Sequence, residues 1–129
     1  MTTLFTKIIN GEIPSHKLYE DDAFYSFLDI NPISKGHSLL IPKVETDYFF
    51  DLEDSHLSKI LTVAKPIATA IQKAIPCKRI GIMVAGLEVP HAHLHLVPIT
   101  STGQLNFAFA KPADQEELKQ TAELIRNQF

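Results

Sequence analysis

The sequence predicts an α+β fold, in which helices cover one face of a mainly antiparallel sheet of five strands. Three observations support this fold class. In the first third of the chain, strand-like segments follow one another with only turn residues between them. A long segment in the middle has apolar residues at helical spacing, and a shorter segment of the same kind ends the chain.

The N-terminal third is predicted to form one short helix and three strands. The helix has apolar residues at helical spacing from Leu4 to Ile9 and ends at Asn10-Gly11. Strands are then predicted over residues 16–20, 23–29 and 37–41. Turn residues separate them, namely Asp21-Asp22, Asn31-Pro32 and Lys35-Gly36.

A long helix is predicted next. Asp54 and Ser55 are candidate N-caps, because their side chains can accept hydrogen bonds from the first turn. An apolar stripe extends at helical spacing from Leu57 to Ile71. Pro66 lies inside this stripe and is expected to kink or divide the helix, since it has no backbone N–H group.

Two further strands and a terminal helix complete the predicted fold. The strands are predicted over residues 79–85 and 91–98. Glu117 follows Asp114 at the spacing of a capping box, so the terminal helix is predicted over about residues 114–128.

Composition excludes several classes of protein. The chain has 129 residues and no internal repeat or linker-like stretch, so we expect a single domain over residues 1–129. The net charge is −3 and no run of lysine or arginine occurs, which argues against nucleic-acid and membrane-surface partners. Cys77 is the only cysteine, which excludes an internal disulfide and a cysteine-based zinc site. With no apolar stretch of bilayer length and no signal peptide, we expect a cytoplasmic protein.

Half of the six histidines alternate along one predicted strand, at positions 91, 93 and 95. Successive side chains of a strand point to opposite faces, so these rings are predicted to line one face while the apolar residues between them enter a core. A neutral imidazole can attack phosphorus or an acyl carbon, and it exchanges protons near neutral pH. The pattern therefore predicts catalysis, with the central His93 as the attacking group.

Two other interpretations of this histidine row remain open. The rings could lie on the solvent surface without a function, or they could bind a metal, since His-x-His is a common ligand pair. The predicted strand offers neither a cysteine nor a carboxylate as a further ligand. We therefore prefer catalysis without a metal or a cofactor.

These residues resemble the histidine triad (HIT) superfamily of nucleotide-binding hydrolases and transferases. The family pattern is His-φ-His-φ-His-φ-φ, where φ is apolar, and the segment from His91 to Val97 fits every position. The similarity covers roughly residues 4–98 and points to the branch of the histidine triad nucleotide-binding proteins. Matching stretches include Gly11-Glu12-Ile13-Pro14, Phe27-Leu28-Asp29-Ile30 and Gly36-His37.

The resemblance implies roles for four histidines. His93 is implied to attack the α-phosphorus of a nucleotide and to form a nucleotidyl-histidine, from which water releases the nucleoside monophosphate. His95 is implied to contact the phosphate and the leaving group. His91 and His37 match supporting histidines that orient the triad and its phosphate contacts.

The resemblance also implies a nucleotide-binding set. Asp29 matches the carboxylate that accepts hydrogen bonds from the ribose hydroxyls. Glu88 is expected close to the phosphate, where its charge repels that group or positions a cationic leaving group. The apolar slot for the base is matched by Phe5, Ile8, Ile13, Phe27, Ile30 and Leu39.

The implied function is hydrolysis at the α-phosphate of nucleoside phosphoramidates or (di)nucleoside polyphosphates, with purine nucleotides as substrates. The implied fold is a five-stranded antiparallel sheet with flanking helices, and members of this branch form homodimers whose sheets join across a two-fold axis. A non-catalytic nucleotide-binding module is the main alternative, and a metal-binding protein is a further one.

Three features depart from the family pattern. The asparagine-containing loop that often precedes the triad is absent, since Met83-Val84-Ala85 leads directly into that segment. Members of this branch usually have a glutamine that helps to hold the phosphate before the triad, whereas Leu87 stands at that position between Gly86 and Glu88. The loss of one such donor is worth about 2–4 kcal/mol of transition-state stabilisation. The segment after Pro98 has no counterpart in the pattern, and we expect it to shape either the leaving-group side of the site or the dimer.

Overall fold

The computed structural model describes residues 2–129, and these residues form one five-stranded sheet with three α-helices packed on it. In chain order the elements are α1 (Leu4–Ile9), β1 (Lys17–Glu20), β2 (Phe24–Leu28), β3 (Ser38–Pro42), α2 (Asp54–Ala74), β4 (Arg79–Met83), β5 (Leu94–Ile99) and α3 (Gln115–Arg126). All neighbouring strands are antiparallel, in the order β1-β2-β3-β5-β4. The predicted fold class is therefore confirmed.

The two faces of the sheet are buried by different helices. α2 and α3 cover one face, where Leu40 and Leu96 belong to the same apolar cluster as Ile67 and Ile71. α1 covers part of the other face, and the smaller cluster there consists of Phe5, Ile8, Tyr25, Phe27, Leu39 and Ile41. Because β2 and β3 are buried at every position, a shift of register would expose one of these clusters, and the sheet holds its side chains at fixed positions.

A cross-strand row on the α1 face leads to the histidine motif. Phe27 pairs with Leu39, Leu39 pairs with His95, and His95 pairs with Met83. Residues that pair directly across an antiparallel ladder point to the same face. His95 therefore lies on the same face as the apolar side chains of β2 and β3 that belong to the α1 cluster.

The last strand begins later than the alternating histidines predict. β5 starts at Leu94, three residues after the predicted start. The preceding backbone pairs with a loop, because the N–H of Ala92 donates to the carbonyl of Thr46 at 2.7 Å. His93 nevertheless stays next to His95, with ring centroids 5.0 Å apart. The other predicted strands differ from the observed ones by one or two residues at their ends.

α2 is one continuous helix, so of the two expected effects of Pro66, a kink or a division, the division is excluded. Pro66 removes the N–H group that would bond the carbonyl of Thr62, but both residues are exposed and water can take the place of that donor. The helix begins at Asp54, with Glu53 at the N-cap position. The N-cap thus lies one residue before the first of the two candidates, Asp54 and Ser55.

α3 has the predicted cap and nearly the predicted length. Asp114 is its N-cap and accepts a hydrogen bond from the N–H of Glu117 at 3.2 Å. At the other end, Arg126 Nη1 donates to the carbonyl of Lys17 at 2.6 Å, which fixes α3 against β1. Over residues 2–129, no helix combines the length and the apolar character needed to cross a membrane.

Gly36 determines how the chain enters β3. Its φ of +92° lies in the left-handed region that favours glycine. A Cβ atom there would lie 3.0 Å from Cγ1 of Ile75 and 3.2 Å from Cγ of Pro98. The turn at Gly36 therefore needs a residue without a side chain, and it places His37 immediately before the strand.

Candidate active site

A cavity of about 430 Å³ lies on the α1 face of the sheet, beside the histidine motif. Its walls come from α1, from β2 and the loop after it, from β3, and from the segments on both sides of β5. The residues that line it include Phe5, Phe27, Asp29, Ile30, Leu39, Leu87, Glu88, His93, His95 and Phe107. Residues from distant parts of the sequence that were assigned to catalysis and to nucleotide binding thus meet in one cavity.

Four of the six residues assigned to the apolar slot line this cavity, namely Phe5, Phe27, Ile30 and Leu39. The ring of Phe5 is edge-on to Phe27 at 5.6 Å and to His93 at 5.0 Å between centroids. Ile8 and Ile13 pack in the same apolar cluster as Phe5 but do not line the cavity. The apolar part of the cavity therefore extends up to the ring of the central histidine.

His93 is held by the backbone of the motif itself. Its Nδ1 lies 2.7 Å from the carbonyl oxygen of His91. A carbonyl can only accept, so in the neutral ring Nδ1 carries the proton and Nε2 has the lone pair. Since His93 lines the cavity, the residue has the protonation pattern that a nucleophile or a general base requires.

His91 is fully buried and does not line the cavity. Its Nε2 lies 2.7 Å from the carbonyl of Pro42, so Nε2 carries the proton. Its Nδ1 lies 2.8 Å from the hydroxyl of Thr3, which must therefore be the donor. Burial lowers the pKa of His91, which keeps the ring neutral. His91 thus supports His93 through its backbone carbonyl, while its own ring is fixed by hydrogen bonds.

His37 and His95 form a second fixed pair. The N–H of Ile33 donates to Nδ1 of His37 at 2.9 Å, so the proton of the neutral ring is on Nε2. That Nε2 lies 2.9 Å from Nδ1 of His95 and donates to it. Because Nδ1 of His95 is the acceptor, the single N–H proton of its neutral ring is on Nε2. His95 lines the cavity, so this N–H is the hydrogen-bond donor that His95 can offer to a ligand.

The pKa values of this pair are strongly lowered. Burial lowers the pKa of His37 to about 4. Burial, together with the nearby His37 and His93, lowers the pKa of His95 to about 3. Both rings are neutral near pH 7, so the contact of 3.6 Å between His37 Nε2 and Asp29 Oδ2 is not an ion pair at that pH.

A metal ion does not fit this group of residues. Within the described part of the chain, Asp29, His37 and His95 each offer one ligand-type atom, and these atoms lie within 4.8 Å of one another. A metal needs the lone pair of His37 Nε2, which would move the proton to Nδ1, opposite the N–H of Ile33. Two N–H groups would then face each other in a buried position, which costs free energy. The hydrogen bonds thus favour the proton over a cation.

Asp29 lies at the end of β2, where its carboxylate faces the cavity. Its Oδ1 accepts a hydrogen bond from the N–H of Asn31 at 2.8 Å, and Oδ2 remains available to a ligand. Burial raises the pKa of Asp29, and the negative charge of Glu88 raises it further. Glu88 also lines the cavity, so two acidic side chains border the polar part of the site.

Thr3 and Phe107 contact the rings of the histidine motif and are among the site residues that were not predicted from the sequence. The sequence marks Thr3 only as a residue type that caps helices, and Thr3 is the N-cap of α1. Its hydrogen bond to His91 depends on the tertiary fold. Phe107 lies in a short turn in the segment after β5, and its ring centroid is 5.0 Å from that of His95. Leu87, which replaces the expected glutamine, is 94% exposed at the cavity and offers no side-chain donor there.

Comparison with known proteins places the chain in a family. The model of the HIT domain matches residues 10–102, and the chain therefore belongs to the HIT family. It is 40% identical over 102 residues to an uncharacterized HIT-like protein of Borreliella burgdorferi, which covers 74% of this chain and 73% of that protein.

Two further similarities bear on function and on structure. The chain is 41% identical over 100 residues to the adenosine 5′-monophosphoramidase HNT1 of Saccharomyces cerevisiae, covering 74% of this chain and 61% of that protein. The crystal structure of a Hit-like protein from Bartonella henselae superimposes with a TM-score of 0.87 at 31% identity, covering 99% of this chain and 96% of that one.

Proposed function

We propose that this protein hydrolyses nucleoside phosphoramidates, and secondarily (di)nucleoside polyphosphates, at the α-phosphate through a covalent intermediate on His93. The main support is the hydrogen bond of 2.7 Å from His93 Nδ1 to the carbonyl of His91, which leaves the lone pair on Nε2 at the cavity. The name of the yeast relative, an adenosine 5′-monophosphoramidase, supports a purine nucleoside phosphoramidate as substrate.

In the first step, His93 Nε2 forms a bond to the α-phosphorus while the bond between phosphorus and the leaving amine breaks. The leaving amine takes up a proton from water. His93 then carries the phosphoryl group on Nε2 and a proton on Nδ1, and its positive charge is stabilised by the carbonyl of His91. The neutral Nε2–H of His95, whose pKa is about 3, donates a hydrogen bond to the phosphate and is not the proton source.

In the second step, water attacks the phosphorus and the N–P bond to His93 breaks. The nucleoside monophosphate leaves, the proton of the attacking water passes to solvent, and Nε2 of His93 regains its lone pair. Splitting the displacement into two steps lowers the barrier that a single attack by water would face. Each step uses the ring of His93 in the same orientation, because its Nδ1 stays bonded to a backbone carbonyl throughout.

The nucleotide occupies the cavity with its base between apolar side chains and its ribose at Asp29. Phe5, Phe27 and Leu39 provide the apolar wall beside His93. The free Oδ2 of Asp29 can accept from the ribose hydroxyls, since its Oδ1 is already bonded to Asn31. In the proposed binding mode, the α-phosphate lies between the base slot and His93.

The proposal includes a homodimer in which the sheets of two copies join at β4. β4 and β1 are the edges of the sheet. β1 carries the two charges of Lys17 and Glu20, which protect an edge from pairing. β4 carries the single charge of Arg79 at its start, and it exposes the apolar Ile82 and, just after the strand, Val84. A two-fold axis at β4 would pair this edge with its own copy and cover both apolar side chains.

Intact-protein mass spectrometry during turnover of adenosine 5′-phosphoramidate tests the mechanism. We expect an adduct with the mass of an adenylyl group on the wild type and none on His93→Ala, whose turnover should fall about a thousandfold or more. His16→Ala is the matched control, since His16 lies away from the cavity and bonds Gln115. This control should form the adduct and release AMP like the wild type.

A non-catalytic nucleotide-binding module is the second candidate, and the exposed Leu87 is the observation that favours it. This residue gives the phosphate no side-chain hydrogen bond. If AMP binds but neither an adduct nor AMP release is found with phosphoramidates and dinucleoside polyphosphates, the binding module replaces the hydrolase as the function.

A further inference from the structure

The segment after β5 places an aromatic ring next to the proposed phosphate donor. The ring centroid of Phe107 lies 5.0 Å from that of His95, in an edge-to-face arrangement. The ring centroid of His93 also lies 5.0 Å from that of His95, so the ring of His95 contacts both His93 and Phe107. Phe107 is 44% exposed and lines the cavity, so burial in a core does not explain its position.

The segment that carries Phe107 is fixed to the domain at several points. The side chain of Leu105 packs on Gly81 of β4, where a Cβ atom would lie only 3.0 Å from it. Asn106 Oδ1 accepts from the N–H of Ala108 at 2.8 Å and caps the short turn that contains Phe107. Further along, the N–H of Ala113 donates to the carbonyl of Ile30 at 3.1 Å. The ring of Phe107 therefore belongs to a built wall of the cavity.

The segment that forms this wall is uncharged. Residues 101–110 contain no charged side chain, and Ala110 lines the cavity together with Phe107. The exposed side chain of Leu87 lines the same cavity. A group that leaves the α-phosphate beside His95 lies within reach of Phe107. Such a group loses less contact with water if it is apolar, and it gains contact with an aromatic ring.

We propose that Phe107, with Ala110 and Leu87, forms a leaving-group subsite that selects phosphoramidates of amines with an aryl or alkyl substituent. The proposal rests on the phosphoramidate hydrolysis proposed above and names the substrate class within it. The subsite contributes to specificity only, because Phe107 takes no part in forming or breaking the bonds to phosphorus.

Two adenosine 5′-phosphoramidates test this subsite, one with benzylamine and one with 2-aminoethanol as the leaving amine. We expect the wild type to prefer the benzyl compound by about tenfold in kcat/KM, as one aromatic contact plus buried apolar area predicts. Phe107→Ala should reduce this ratio to about two or less while the Kd for AMP changes little. Phe109→Ala is the matched control, since Phe109 lies in the same turn but does not line the cavity.

Equilibrium binding of the same two compounds to His93→Ala measures the subsite without turnover. A preference for the benzyl compound that disappears in His93→Ala/Phe107→Ala supports the subsite even if the wild type proves inactive. Equal binding of both compounds to His93→Ala, or a preference that survives the loss of Phe107, overturns the subsite. If the wild type turns over both compounds at the same rate, the subsite fails and the hydrolase stands; if it turns over neither, the hydrolase fails and binding alone decides the subsite.

Discussion

The hydroxyl of Thr3 lies 2.8 Å from Nδ1 of His91, although 88 positions separate the two residues in the sequence. The same oxygen accepts a hydrogen bond from the N–H of Thr6 and so caps α1. The backbone N–H of Thr3 donates to Glu45 Oε1 at 2.8 Å. Because His91 supplies the carbonyl that orients His93, Thr3 links the helix at the base slot to the proposed nucleophile.

Thr3→Asp separates the two roles of this residue. Aspartate is a good N-cap but has no hydroxyl proton, so Nδ1 of His91 loses its donor while α1 keeps its cap. We expect kcat for an adenosine phosphoramidate to fall about tenfold through misorientation of His93, with little change in the Kd for AMP. Thr3→Ser retains both the cap and the donor and should be as active as the wild type. Equal kcat values for the two variants would mean that the donated proton does not matter.

Stability should fall as the pH falls below neutral. The unfolded chain protonates its histidines near pH 6.5, whereas burial lowers the pKa of His37 to about 4 and of His95 to about 3. Between the pKa of the folded state and that of the unfolded state, the unfolded state binds more protons. Each ring therefore lowers the free energy of unfolding by up to about 1.4 kcal/mol for every unit by which the pH falls. The folded state has its full stability above pH 6.5, where these histidines are neutral in both states. That stability is lost progressively as the pH falls from 6.5 to the pKa of each ring in the folded state. Urea unfolding at pH 7.5 and pH 5.5 measures this slope.

His37→Gln provides the comparison for that experiment. Glutamine does not titrate, so the variant should lose the share of the pH dependence that His37 contributes, whatever its stability at pH 7.5. Asp29 works in the opposite direction, because its raised pKa lets the folded state take up a proton more readily than the unfolded chain as the pH falls. Asp29 titrates closer to the ordinary pH range of a carboxyl group, below the range of the histidines. The change in stability between pH 7.5 and pH 5.5 is therefore due mainly to the histidines.

The proposed dimer predicts that a charge on the β4 edge separates the two copies. Ile82→Lys places a cation on an exposed apolar position of this strand, where a two-fold partner would bring a second lysine close to it. We expect the molar mass from light scattering to fall from twice the chain mass to 14.4 kDa. Leu124→Lys on α3 changes an equally exposed leucine away from this edge and should leave the dimer intact. A wild type that elutes as a monomer would exclude this assembly.

Local sequence patterns were sufficient to predict the sheet, whereas the resemblance to a family supplied the predicted residues that line the cavity. Short apolar segments between turn residues located the strands, and the motif located His93 and His95. The start of β5 could not be predicted, because the alternation of His91 to His95 is equally compatible with an extended segment that pairs with a loop at Thr46. A division at Pro66 was one of two expected effects and does not occur, because the pattern does not reveal that the lost hydrogen bond faces water.

The contacts missed at the site join residues that are far apart in the sequence. Thr3 reaches His91 because α1 folds over the sheet, and Phe107 reaches His95 because Leu105 is fixed on Gly81. Nothing in the composition of a loop shows which of its aromatic residues will contact the proposed catalytic histidines. Such contacts depend on tertiary packing, which a pattern of period two or 3.6 does not encode.

Asp29 is expected to determine whether the site prefers ribonucleotides. Asp29→Asn keeps the size of the side chain and the acceptor for the N–H of Asn31, but it replaces the free carboxylate oxygen with an amide donor. Loss of a charged acceptor for the ribose hydroxyls should raise the Kd for AMP at least about tenfold. The wild type should bind 2′,3′-dideoxy-AMP weakly, and the Kd for this ligand should be the same in the variant, because the ligand has no ribose hydroxyl that could donate to residue 29. Calorimetric titration with both ligands measures these Kd values. Asp22→Asn, which removes a charge at an exposed position, controls for a general effect of charge. An equal loss of affinity for both ligands in Asp29→Asn would mean that Asp29 supports the structure of the loop after β2 instead.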